Sequence, residues 1–95
     1  MIKVKARIKL FKGANKRKTS FVSGYRPLFQ FIEETKTSGQ IKLINQEQFK
    51  PGETGVVEVV FPHEEYLGEG FGNGTIFNFY ESIEPLGEGE IIEVY

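Results

Sequence analysis

The chain has no cysteine and no aspartate in its 95 residues, and a single histidine, His63. Without cysteine there is no disulfide framework and no thiolate metal site, which fits a reducing compartment. Without aspartate, turns must draw on Gly and Asn, the other residues that tolerate a turn backbone. Long apolar runs are missing too. Nothing approaches the ~20 residues of a membrane-spanning helix, and Met1-Ile2-Lys3-Val4-Lys5 alternates in polarity where a signal peptide would be continuously apolar. We therefore expect no membrane partner and a cytoplasmic setting. No amphipathic helix of useful length and no internal repeat is present.

Lysine and arginine are absent after residue 50. All 12 cations lie in residues 1–50 against Glu33, Glu34 and Glu47, a formal charge of +9; the other ten glutamates lie in residues 51–95, a charge of −10. Neither half is long enough to close a core. One domain over residues 1–95, in which basic and acidic strands meet, is the expected arrangement.

The pattern that remains is that of strands. Ile2, Val4, Ala6, Ile8 and Leu10 alternate with Lys3, Lys5, Arg7 and Lys9, as in a half-buried strand over residues 2–10. Further strands are predicted over 28–35, 40–45, 54–61, 75–81 and 88–95. In the fourth, Val57, Val59 and Phe61 share one face. Residues 12–19 read as a basic loop and Lys36-Thr37-Ser38-Gly39 as a turn. Pro51-Gly52 suits the middle of a type II turn. In Gly24-Tyr25-Arg26-Pro27, proline fixes its own φ and extends the residue before it, and glycine supplies a φ that other residues avoid. These four residues predict a kink leading into the strand that starts at Leu28. Many short strands between turn signals indicate a barrel or a sandwich.

Gly24-Tyr25-Arg26-Pro27 with the aromatic strand after it, then Thr37-Ser38-Gly39-Gln40-Ile41, then Pro51-Gly52-Glu53, resembles the C-terminal β-barrel domain of bacterial elongation factor Tu. So do Gly74-Thr75-Ile76-Phe77-Asn78-Phe79-Tyr80-Glu81 and Leu86-Gly87-Glu88-Gly89-Glu90-Ile91-Ile92, and the likeness spans nearly the whole chain. It implies an all-β fold, a closed six-stranded antiparallel Greek-key barrel. In that family the domain packs on a GTP-binding domain and helps to hold the T-stem backbone of aminoacyl-tRNA. Carried over by position, Glu81 and Ser38 fall at T-stem contacts. Leu28, Ile83 and Glu84 stand where the family usually has Gln, Gly and Arg, and these replacements weaken phosphate contact. The chain has no phosphate loop, and Asn15-Lys16-Arg17-Lys18 lacks the Asp of the guanine-specificity motif, so no GTP binding is expected.

Two function classes follow. The first is a non-catalytic module docking to a protein, translation-related or otherwise. The second is a weak RNA- or tRNA-binding module, with Lys3, Lys5, Arg7 and Lys9 projecting from one strand face and Lys16, Arg17 and Lys18 extending the positive field. Against the second, pairing of the first and last strands would set Glu88, Glu90 or Glu93 opposite those cations. Phe29, Phe31, Phe77 and Phe79 are expected in the core; Tyr25 and Tyr80 are the aromatics expected at the surface. His63 with Glu64 and Glu65 does not make a metal site, because adjacent residues of an extended chain point apart. Gly68 to Gly74 reads as a hairpin connection, since a strand follows it and no lysine does. With no Cys, no Asp and consecutive glutamates only, no catalytic residue, metal or other cofactor is expected.

Overall fold

The structure, a computed structural model, describes residues 1–13 and 16–95. Ala14 and Asn15 of the expected basic loop lie outside the described residues. Among the described residues seven strands form: β1 (Ile2–Leu10), β2 (Leu28–Ile32), β3 (Thr35–Ser38), β4 (Gln40–Leu43), β5 (Thr54–Phe61), β6 (Ile76–Tyr80) and β7 (Pro85–Val94). A 3₁₀ turn, Glu64–Tyr66, stands between β5 and β6. All seven strands belong to one antiparallel sheet in the order β3-β2-β6-β7-β1-β5-β4.

The alternation of β1 decides which face is inside. Val4, Ala6, Ile8 and Leu10 are buried, and Val57, Val59 and Phe61 of β5 face them from the next strand. Phe29, Phe77, Phe79 and Ile91 complete the centre of the core. Each such side chain contributes about 1.5–3 kcal/mol by leaving water. Phe29 packs edge-on against Phe61 at 5.0 Å and tilted against Phe77 and Phe79 at 5.5 and 6.0 Å. Phe31 is only partly buried but joins the same cluster through Phe61 and Phe77.

The expected closed six-stranded Greek-key barrel is not what forms. The antiparallel sheet has seven strands and is curled into a half-barrel, with β3 and β4 as the two ends of its hydrogen-bonded order. Gly39 alone separates β3 from β4, of which β3 pairs with β2 and β4 with β5. Because only this residue separates them, the sheet must curl until its ends approach. A Cβ at Gly39 would lie 2.8 Å from carbons of both Phe29 and Phe61, so the bend is packed directly onto the core. The segment before β2 is laid against β4 by an isolated bridge, Tyr25↔Ile41, and another bridge joins Phe21 to Phe49.

Other expectations change at their ends. The turn expected at residues 36–39 is strand β3, and the reversal comes earlier, at Glu33-Glu34, where Glu34 takes a φ of 61°. The polar side chains of Thr35 to Ser38 concealed a strand that pairs with β2 across its whole length. Strand β2 accordingly ends at Ile32, and β7 starts at Pro85, three residues before the predicted start. Gly24 and Gly52 have φ of 101° and 87°, as the kink and the type II turn require.

Candidate functional site

The basic stripe of β1 lies between two strands that carry glutamates. Lys5 is opposite Glu58 on one side and Glu93 on the other; Arg7 is opposite Glu90 and Lys9 opposite Glu88. Lys3 Nζ is 3.7 Å from Glu58 Oε1. The basic first half and the acidic second half thus meet within the sheet, where opposite charges on facing positions attract. A surface hollow of about 460 Å³ over Gly89 contains Arg7 and Lys9 together with Glu88 and Glu90, so its lining has mixed sign.

Arg17, from the basic loop, is fixed at another place. Its Nη1 donates to Glu81 Oε1 at 2.9 Å, its Nε to the Thr19 carbonyl at 2.9 Å and its Nη2 to the Ser20 carbonyl at 3.2 Å. The guanidinium lies 4.8 Å from the centroid of the Tyr25 ring. Tyr25 stacks on Phe21 at 4.5 Å, and Phe21 on Phe49 at 5.2 Å. The Tyr25 hydroxyl is buried and has no hydrogen-bond partner among the described residues. Burial, and then the neighbouring Glu81 carboxylate, raise its pKa well above the usual tyrosine range, with Arg17 acting in the opposite sense. Lys16 Nζ donates to the Pro85 carbonyl at 3.2 Å, which ties the same loop to the start of β7. Lys18 is exposed.

The kink that precedes β2 is fastened to β4 through its backbone. The Gly24 N–H donates to the Ile41 carbonyl at 2.9 Å, and the Ile41 N–H to the Tyr25 carbonyl at 2.8 Å. Ser23 Oγ accepts from the Leu43 N–H at 2.8 Å. Pro27 is fully buried, while Arg26 points to solvent.

Ser38 and Glu81 are brought to either side of Leu28. Ser38 is the cross-strand partner of Leu28 on β3, and Tyr80, next to Glu81, is its partner on β6. Leu28 is 38% exposed, and Ile83 in the β6–β7 turn is 86% exposed. Tyr80, expected at the surface, is instead 9% exposed, and Lys36 Nζ lies over its ring at 4.1 Å. The same ammonium donates to the Ser82 carbonyl at 3.4 Å. Lys36, Ser23 and Phe21 carry no local sequence signal for these roles; all three act through long-range contacts.

The family-like positions and Arg17 therefore share one end of the sheet. The stripe from Lys3 to Lys9 does not join them in the sheet, since β6 and β7 intervene between β2 and β1. His63 is exposed, with Nδ1 3.9 Å from Glu65 Oε1. Among the described residues, no three His or Glu side chains gather as metal ligands would. The loop from Gly68 leads directly into β6 and is pinned by Thr75 Oγ1, which accepts from the Gly72 N–H at 2.9 Å. No protein-family model matches the chain, and no curated protein sequence matches it.

Proposed function

We propose that the chain is a non-catalytic binding module that docks to a protein, through the surface around Leu28, Lys36 and Ile83. The observation that carries this reading is the register of β1. Lys5, Arg7 and Lys9 each face a glutamate, and Arg17 is bonded to Glu81. A phosphate-tracking surface needs cations whose field is not already cancelled by neighbouring carboxylates. Here three of the cations an RNA surface would use stand opposite a glutamate on the next strand and a fourth, Arg17, is bonded to one. The exposed aliphatic side chains of Leu28 and Ile83, next to partly covered Tyr80, have the character of a protein contact.

The partner class comes from the resemblance to the third domain of elongation factor Tu, a finer reading than the curled all-β sheet alone. On that reading the partner is a translation component and the setting is the cytoplasm. A photo-crosslinking amino acid placed at Leu28 tests it in native lysate. The expected product is a discrete protein adduct identified by mass spectrometry as a translation component, absent when the crosslinker is placed at Glu69. An adduct with RNA alone, or the same adducts from both positions, would overturn the proposal.

A further inference from the structure

Four neighbouring strands, β6, β7, β1 and β5, each place residues in rows across the outer face of the sheet. One row is Ile76, Glu90, Arg7 and Val56, each opposite the next in register. Another is Asn78, Glu88, Lys9 and Thr54. These side chains point away from the core, since the residues next to them in sequence, such as Phe77, Ile91, Ile8 and Val57, are the buried ones. The two rows lie about 6.8 Å apart along the strands. Each has an acid and a base at its centre, and flanks of like character: aliphatic in the first, uncharged polar in the second.

The charges at the centre face each other without closing. Among the described residues no salt bridge joins Arg7 to Glu90 or Lys9 to Glu88. The hollow of about 460 Å³ lies along this seam, with Thr54 and Ile76 among its walls. Ile76 is 77% exposed, a large aliphatic side chain left in water beside it. This face is complementary to itself. A two-fold axis laid between β1 and β7, parallel to the strands, turns a second copy face down and reverses each row. Glu90 then meets Arg7 of the second copy and Arg7 meets its Glu90, while Ile76 meets Val56 on both flanks. In the other row Glu88 meets Lys9 and Asn78 meets Thr54. No like charges meet in either row. The net charge of the chain is −1, so two copies repel only weakly on approach.

We infer that the occupant of this face is a second copy of the chain, in a face-to-face homodimer through β6, β7, β1 and β5. Such an interface is isologous, so every contact occurs twice. The aliphatic contact of Ile76 with Val56 removes apolar surface from water, and the crossed pairs of Arg7 with Glu90 and Lys9 with Glu88 fix orientation and register. The inference does not depend on docking at Leu28, which stands on β2, outside these four strands.

Sedimentation equilibrium of the chain over a concentration series up to about 1 mM tests it. The unaltered chain should associate reversibly to a dimer and no further. Arg7→Glu sets glutamate against Glu90 of the other copy, twice, and Glu90→Arg does the same with arginines. Each variant alone should dimerise about tenfold or more weakly. An equimolar mixture of the two should recover the association as a heterodimer, because each substituted residue then meets its opposite. Circular dichroism checks that both variants are folded. If either is not, Ile76→Glu, at an exposed position, decides: it should weaken dimerisation by about the same factor. A chain that stays monomeric up to about 1 mM would overturn the inference. So would a dimer indifferent to these substitutions, or a mixture that associates no better than its components.

Discussion

The ring of Phe79 stands over Gly87, its antiparallel partner, in the space that a side chain at position 87 would fill. Phe77 stands over Gly89 in the same way, two residues along. The two glycines of β7 are thus occupied from the neighbouring strand, and the core reaches the backbone of β7 without a gap. Glycine weakens a strand, and the covering rings compensate for the missing side chains.

Gly87→Ala should therefore be strongly destabilising. The added methyl would meet the Phe79 ring and also the Lys9 carbonyl on β1, which is backbone and cannot swing aside. Overpacking of this kind costs about 1–3 kcal/mol, sometimes more. Urea unfolding followed by circular dichroism measures it, as a lower midpoint with an unchanged slope.

Gly39 and Gly70 give an internal contrast. A methyl at Gly39 would press on Phe29 and Phe61, whereas one at Gly70 has nothing within 4 Å. Gly39→Ala should lower the urea midpoint clearly, and Gly70→Ala should move stability by no more than about 0.5 kcal/mol. Equal effects at the two positions would contradict the placement of the sheet's bend.

Tyr25 gives the protein an alkaline limit. Its hydroxyl titrates above the ordinary tyrosine value in the folded state, chiefly because it is buried. The folded chain then holds this proton more tightly than the unfolded chain does. Its contribution is complete below about pH 10, where the unfolded tyrosine titrates, and is lost as pH rises toward the folded value. Thermal unfolding between pH 8 and pH 11 should show a fall in Tm that is smaller in Tyr25→Phe.

Much of this fold was legible from side-chain alternation. Ile2 to Leu10 and Val57 to Phe61 each present one apolar face to the core, as their period of two requires. The kink at Gly24 and the turn at Gly52 were legible from the backbone restrictions of glycine and proline. Even Glu88, Glu90 and Glu93 opposite β1 followed from pairing the first strand with the last. Strand β3 was not legible, because Thr35-Lys36-Thr37-Ser38 lacks apolar alternation and ends on a glycine that looks like a turn. The turn itself fell on Glu34, whose left-handed backbone no local rule anticipates. The tie between Arg17 and Glu81 joins residues 64 positions apart, and the covering of Tyr80 by Lys36 joins strands that do not pair with each other. Such contacts depend on the sheet order, which composition and spacing do not specify.

The account stands or falls on whether the cations of β1 and of the basic loop are neutralised within the fold. Fluorescence anisotropy of labelled tRNA titrated with the chain at low ionic strength measures this directly. The account predicts no saturable binding. Saturable binding that weakens by about one log unit per log unit of salt for every phosphate contacted, and that is lost on replacing Lys5, Arg7 and Lys9 by alanine, would contradict it.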